Sequence, residues 1–309
     1  MNSFKNLPNF LIIGAGKSGT TSVDNYLKQH PNIFISPVKE PNFFGYELNT
    51  AKDFEGKPQL KHYNSSVTNI DEYLKLFEGA ESYQVRGETS NTYMYHENAA
   101  ARIKHYIPDA KLIAILRQPA ERLYSRYLHL ARDSKLPTQK FEDCLDRNSI
   151  WWERNDLIKE GYYGKYLDRY FKLFDQSQIK VFLYEELREN PEKLHRQIFQ
   201  FLGVQEDFEI DFSITYNQSG FIKNPIVDKL IGSNSFFFKG MKKIISEKSI
   251  QRIKGNKFLF KKVNDLRSKN LSKPKLTKEL KRQISNEIYK EDILLLQKLI
   301  NKDVSHWLD

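Results

Sequence analysis

The 309-residue chain is 39% hydrophobic and 13% aromatic, enough to bury a sizeable core in one large domain or two small ones. A single cysteine, Cys144, excludes an intramolecular disulfide, and no apolar run approaches the roughly 18 residues of a membrane helix. The net charge of +10 is uneven: between Lys239 and Arg282 stand 16 Lys and Arg against three acids, so the whole excess belongs to one C-terminal segment.

In chain order, residues 10–13 are apolar throughout and predict a short buried parallel strand, beginning too early to leave room for a signal peptide. Residues 20–29 predict a helix with Val23, Tyr26 and Leu27 on one face, followed by a second strand at 33–36. A polar, aromatic stretch to about Ser82 reads as loops with a short helix near 70–77, then a short strand at 84–87 and a helix at 97–106. Residues 111–116 are an unambiguous buried strand, and 119–133 a helix opened by Pro119. A helix at 164–174, a strand at 179–184 and a helix at 191–202 ended by Gly203 complete the alternation, which argues for an α/β fold with a central parallel sheet flanked by helices. From about Gly220 the chain reads as mainly helical and basic, with a break at Pro274 and a last helix at 277–300.

The junction after the first strand, Gly14-Ala-Gly-Lys-Ser-Gly-Thr-Thr-Ser22, offers backbone N–H groups at a helix N-terminus and so predicts an anion site. Three phosphate loops compete for it. An ATPase loop needs its lysine directly after the second glycine, but Thr20 stands there and Lys17 comes three residues early. A dinucleotide fingerprint fits Gly14, Gly16 and Gly19, yet the second strand ends in Ser36-Pro37 rather than an acid.

The third reading fits every residue. The loop resembles the 5′-phosphosulfate loop of sulfotransferases that use 3′-phosphoadenosine 5′-phosphosulfate (PAPS), and Arg117-Gln-Pro-Ala-Glu-Arg-Leu-Tyr-Ser125, at the end of the 111–116 strand, resembles their 3′-phosphate motif. Gly161-x-Tyr163, the strand ending at Glu185, Phe201-Leu-Gly203, the 216–220 loop with Lys223, and Trp307 extend the resemblance over most of the chain. It implies a P-loop-like three-layer fold and one sulfotransferase domain over 1–309, with a core of about 8–220 and a basic helical extension of about 221–309. It also implies that Lys17, Ser18, Gly19, Thr20, Thr21, Ser22, Arg117, Ser125, Gly220 and Lys223 hold PAPS, with 3′,5′-ADP as product and no metal. An ammonium beside the bridging oxygen stabilises charge that develops as the sulfonate leaves.

An acceptor hydroxyl or amine must lose a proton, so a base is expected. Lys39-Glu40-Pro-Asn-Phe43-Phe44 resembles a segment of the heparan-type enzymes, which implies Glu40 as base and leans toward a carbohydrate acceptor. His129, four residues after Ser125 on one helix face, is the rival base. In Gly87-Glu-Thr-Ser90 the family's usual lysine is replaced by Thr89, and Trp151-Trp152 could stack on a sugar or pack. The basic 239–282 segment suits a polyanion or a membrane surface; no zinc spacing or other nucleic-acid motif is present. The expected setting is cytoplasmic. Two other classes stay open: a nucleotide kinase or ATPase, and a non-catalytic module binding an anionic polymer or membrane through its basic arm.

Overall fold

The computed structural model describes residues 6–57, 59–213, 220–224, 226–227, 262 and 265–309. Loop residues 216–219 and positions 239–261 of the basic segment lie outside that set. The chain divides into two units: Met1–Leu123 with Glu142–Asp211 and Thr277–Asp309, and Tyr124–Phe141 with Phe212–Leu276.

The first unit is built on five parallel strands, β1 (Phe10–Gly14), β2 (Ile33–Ile35), β3 (Val85–Thr89), β4 (Lys111–Leu116) and β5 (Ile179–Leu183), in the order β2-β3-β1-β4-β5. Strand β1, and β4 after Lys111, are apolar throughout because both sheet faces are covered there. Phe10, Ile12, Ile113, Ile115 and Phe182 form one buried cluster with Val23 and Leu27 of helix α1 (Thr20–Leu27) and with Leu194, Ile198, Phe199 and Leu202 of a later helix, Pro191–Leu202. The alternate residues Leu11, Ile13, Leu112, Ala114 and Leu116 face the other way by the period of two and are equally buried. Sheet and two helical layers together give the three-layer α/β fold.

The remaining helices used below are α2 (Ala99–Tyr106), α3 (Pro119–Arg132), α4 (Tyr163–Leu173), α5 (Tyr184–Glu189), α6 (the Pro191–Leu202 helix), α7 (Lys278–Ile284) and α8 (Lys290–Ile300). Asp292 of α8 caps α4, taking the N–H groups of Gly164 and Lys165 at 2.8 Å each. Gly203 ends α6 in the left-handed region at φ 81°.

Most expected elements fall within a residue or two of their observed bounds, and the differences have physical reasons. Strand β3 runs through Glu88 to Thr89, because the Tyr73 and Ser90 hydroxyls donate to the Glu88 carboxyl inside the sheet. Strand β5 stops at Leu183, where Glu186 turns back to take its N–H and starts α5. The expected last helix is interrupted at Ser285–Tyr289 by a π-turn, where Gln118 donates to the Ser285 hydroxyl at 2.6 Å. Within the second unit, two short strands, β6 (Phe221–Ile222) and β7 (Leu271–Ser272), pair antiparallel in a stretch expected to be helical. Among the described residues, no helix is long and apolar enough to cross a membrane.

Candidate active site

Strands β3 and β4 follow one another in sequence but lie on either side of β1, so a crevice opens at the carboxyl end of β1. The 14–22 loop, read above as a phosphate loop, lies there. Gly19 precedes α1 in the left-handed region at φ 93°, contributes no side-chain cap, and no acid stands in the first turn. The first N–H groups of α1 are therefore presented without an anionic side chain of their own, as an anion site requires. Ser18 and Thr20 are buried, whereas Lys17, Thr21 and Ser22 are partly exposed. Lys17 itself adopts φ 68°, a left-handed conformation that costs a non-glycine residue of order 1 kcal/mol and that marks functional loops.

Glu40 reaches the same rim from β2. Its N–H donates to the Thr89 carbonyl at the end of β3, and the Ser90 N–H in turn donates to the Ile12 carbonyl of β1. The Glu40 Oε1 receives Asn91 Nδ2 at 3.0 Å and Lys39 Nζ at 3.2 Å. The Asn91 carbonyl lies 3.3 Å from where a Cβ would stand on Gly14, so Asn91 connects the carboxylate to the root of the phosphate loop. Glu40 and Asn42 flank Pro41 at φ 57° and 56°. Buried Asn42 holds that shape: its Nδ2 donates to the Glu40 carbonyl and to Ser66, its Oδ1 accepts from Thr92, and its N–H donates to Ser90. Phe43 and Phe44 are fully buried, with Phe43 stacked on Tyr73 at 4.5 Å, so they are core under the rim.

Arg117 follows β4 directly. Its guanidinium is held by Glu121 Oε2 at 3.0 and 3.2 Å and lies over the Tyr184 ring at 4.7 Å. Tyr184 also closes on Gly19, where an added Cβ would meet its ring at 3.3 Å and Leu187 at 2.6 Å. One aromatic ring thus joins the phosphate loop to Arg117.

Ser125 and His129 lie further along α3, past the point where it enters the second unit. There Arg132 Nη2 donates to His129 Nδ1 at 3.1 Å, and Asp133 Oδ2 lies 3.7 Å from His129 Nε2. Gly220 is buried beside β7, while Lys223 Nζ donates to the Lys269 carbonyl at 3.0 Å. The first unit therefore brings together Lys17, Ser18, Gly19, Thr20, Thr21, Ser22, Glu40 and Arg117. Ser125, His129, Gly220 and Lys223 belong to the second.

Thr89, where the resemblance leads one to expect lysine, is buried and donates to Asp24 Oδ1 at 2.8 Å, tying β3 to α1. Trp151 and Trp307 are fully buried, and Trp152 donates its ring N–H to the Cys144 carbonyl. Sequence reading overlooked Asn91, Asn42, Tyr184 and Glu160. Asn91 follows a Gly-Glu-Thr-Ser segment and Glu160 precedes Gly161-x-Tyr163, so both stood next to recognised motifs.

Glu88 lies under the rim, fully buried, accepting from Ser90 Oγ at 2.8 Å and Tyr73 at 3.2 Å. Burial pushes its carboxyl up from 4.5 to about 7, against the opposing effect of the Tyr93, Ser90 and Tyr73 hydroxyls. Between those two values the folded chain keeps a proton that the unfolded chain releases, so stability falls as pH rises through the window. The expected loss is on the order of 3 kcal/mol across it. Denaturant unfolding at pH 5, 6, 7 and 8 should show this slope and show it flattened in Glu88→Gln; an unchanged slope in the variant would refute the assignment.

A parallel sheet with an uncapped helix N-terminus, a lysine-bearing loop, a carboxylate and an arginine at its carboxyl rim is an α/β arrangement that can receive an anionic ligand. The profile described as "Sulfotransferase family" matches residues 8–208, and the chain belongs to that family, a family of transferases. It is 28% identical over 225 residues to a mouse bifunctional heparan sulfate N-deacetylase/N-sulfotransferase 4, covering 70% of this chain and 24% of the relative. To human carbohydrate sulfotransferase 15 it is 28% identical over 253 residues, covering 64% of this chain and 44% of the other. The chain thus spans a quarter to under half of these relatives. The crystal structure of a sulfotransferase from Alicyclobacillus acidocaldarius superimposes with a TM-score of 0.68 at 27% identity, covering 98% of this chain and 99% of that one.

Proposed function

We propose that this chain transfers a sulfuryl group from PAPS to a hydroxyl or amine of a carbohydrate. The observation that carries the proposal is the meeting of Glu40 and the Lys17 loop at one rim through Asn91, two segments that the sequence separates by a helix and a strand. Lys17 and the N–H groups at Gly19, Thr20 and Thr21 take the 5′-phosphosulfate, and Ser18 and Ser22 shape the loop. Lys17 faces the bridging oxygen that gains charge as the S–O bond breaks. Glu40 takes the acceptor proton as the acceptor oxygen or nitrogen bonds to sulfur, and 3′,5′-ADP leaves. The reading of Glu40 as base, rather than His129, is supported by the exposure of its carboxylate and by the engagement of both His129 ring nitrogens with Arg132 and Asp133.

Arg117 is assigned the 3′-phosphate, with Ser125 adding a hydroxyl by the family motif, and Gly220 and Lys223 by the same resemblance the closing of the nucleotide site. A bidentate guanidinium–phosphate contact would then replace the Glu121 pair. A carbohydrate acceptor is supported by the relatives, a heparan sulfate N-deacetylase/N-sulfotransferase and a carbohydrate sulfotransferase.

Calorimetry tests the donor assignment without an acceptor. 3′,5′-ADP should bind about 30-fold or more tighter than 5′-AMP, the difference expected of charge-assisted bonds to one phosphate. Equal affinity for the two nucleotides would sink the proposal.

A further inference from the structure

The phosphate loop contains a contact that an anion-binding loop would not be expected to make. The Gly16 N–H donates to a carboxylate oxygen, Glu160 Oε1, at 2.7 Å. Such loops aim their N–H groups at the ligand. Here one of them is given to an acid of the same chain, 144 positions away. The approach is close enough that a Cβ on Gly16 would stand 2.5 Å from the same oxygen, so this glycine is required by Glu160.

Glu160 is itself held. Its Oε2 receives Arg122 Nη1 at 2.8 Å, and the two side chains are 6% and 0% exposed. Arg122 also donates to the Leu157 carbonyl and lies 3.5 Å from that of Asp156, which anchors the guanidinium to the backbone just before Glu160. A buried carboxylate–guanidinium pair gains little net stability, because desolvating both charges offsets their attraction. What this pair does supply is a rigid acceptor at a defined point of the loop, one residue before Lys17.

We propose that Glu160 is a positioning residue, which clamps the loop at Gly16 and thereby fixes the left-handed turn that presents Lys17. The ligand's anionic group is then confined to the second half of the loop, at the start of α1. The proposal rests on the loop being the donor site proposed above.

The test uses the full chain labelled with ¹⁵N-glycine, which gives 14 glycine amides. In the ligand-free protein the Gly16 amide should exchange with solvent far more slowly than those of Gly56 and Gly79, which lie in exposed turns. Exchange as fast as theirs would overturn the clamp. Glu160→Gln keeps the shape but removes the charge and sets a donor group against Arg122. Its Gly16 amide proton should move upfield. Affinity for 3′,5′-ADP should stay within about threefold, and kcat for transfer from labelled PAPS to N-desulfated heparan sulfate should fall roughly 10-fold to 100-fold with little change in KM for PAPS. An unmoved Gly16 resonance, or an unchanged kcat, overturns the proposal. If Glu160→Gln does not fold, Arg122→Lys serves in its place, keeping a buried cation while loosening the carboxylate, and the same two readouts apply. Failure of the unsubstituted protein to bind 3′,5′-ADP would overturn the donor reading and the catalytic half of this one, while the Gly16 exchange rate still decides the clamp by itself.

Discussion

Lys17→Ala is expected to lower kcat for sulfuryl transfer by about 10²- to 10³-fold, the range seen when one preorganised electrostatic contact to a developing charge is removed. The effect belongs in kcat because the bridging oxygen carries more charge in the transition state than in PAPS, so the ammonium contributes more there than in the ground state. The fold should be unaffected. Lysine and alanine pay the same penalty at φ 68°, and Lys17 is partly exposed, so the thermal midpoint should move little. Transfer from labelled PAPS to N-desulfated heparan sulfate, measured beside a thermal melt, separates the two effects. Turnover retained within threefold would remove Lys17 from the mechanism; turnover lost together with the fold would mean that the loop's role is structural.

Glu40→Gln is expected to reduce kcat by roughly 10²- to 10⁴-fold, the usual contribution of a positioned general base. Glutamine preserves the side chain's volume and can still accept from Asn91, so the φ 57° turn and the Asn42 contacts that hold it should survive. Binding of 3′,5′-ADP should be unaltered, because the residues assigned to the nucleotide lie on other segments. A parallel His129→Gln variant completes the comparison. If the rate loss follows His129 and spares Glu40, the base assignment is wrong, and the proton leaves through the second unit.

The parts of this fold that could be read in advance are those whose cause is local. Strand β4 falls on its expected bounds because six consecutive residues are apolar or amphipathic and are bracketed by a turn and a proline. Helix α6 does so because Pro191 and Gly203 mark both ends. The loop with Lys17 was legible because glycines, a lysine and hydroxyls are compressed into nine residues. Asn91 was not, since its meaning depends on β1, β2 and β3 lining up at their carboxyl ends, which no stretch of sequence encodes alone. The Arg122–Glu160 pair was missed for the same reason: each residue read alone is an ordinary charge, and only the packing makes it a buried pair. The π-turn at Ser285–Tyr289 looks helical in sequence because no local residue marks it, and its partner Gln118 comes from another segment.

That same Gln118 has a further consequence. Next to Arg117, its side-chain amide donates both to Ser285 and to the Trp307 carbonyl, 189 positions away, while the Trp307 ring N–H donates to Glu185 near the start of α5. The residue pair that fixes the arginine's base therefore closes a loop of nearly two hundred residues, an event whose entropic cost grows with the logarithm of that span and that delays such contacts in folding. The lysine loop draws on Glu160 and Tyr184, whereas the brace beside Arg117 draws also on Trp307, so the two form contacts of different span. The two proposed nucleotide anchors thus differ in the length of chain that must close to brace them.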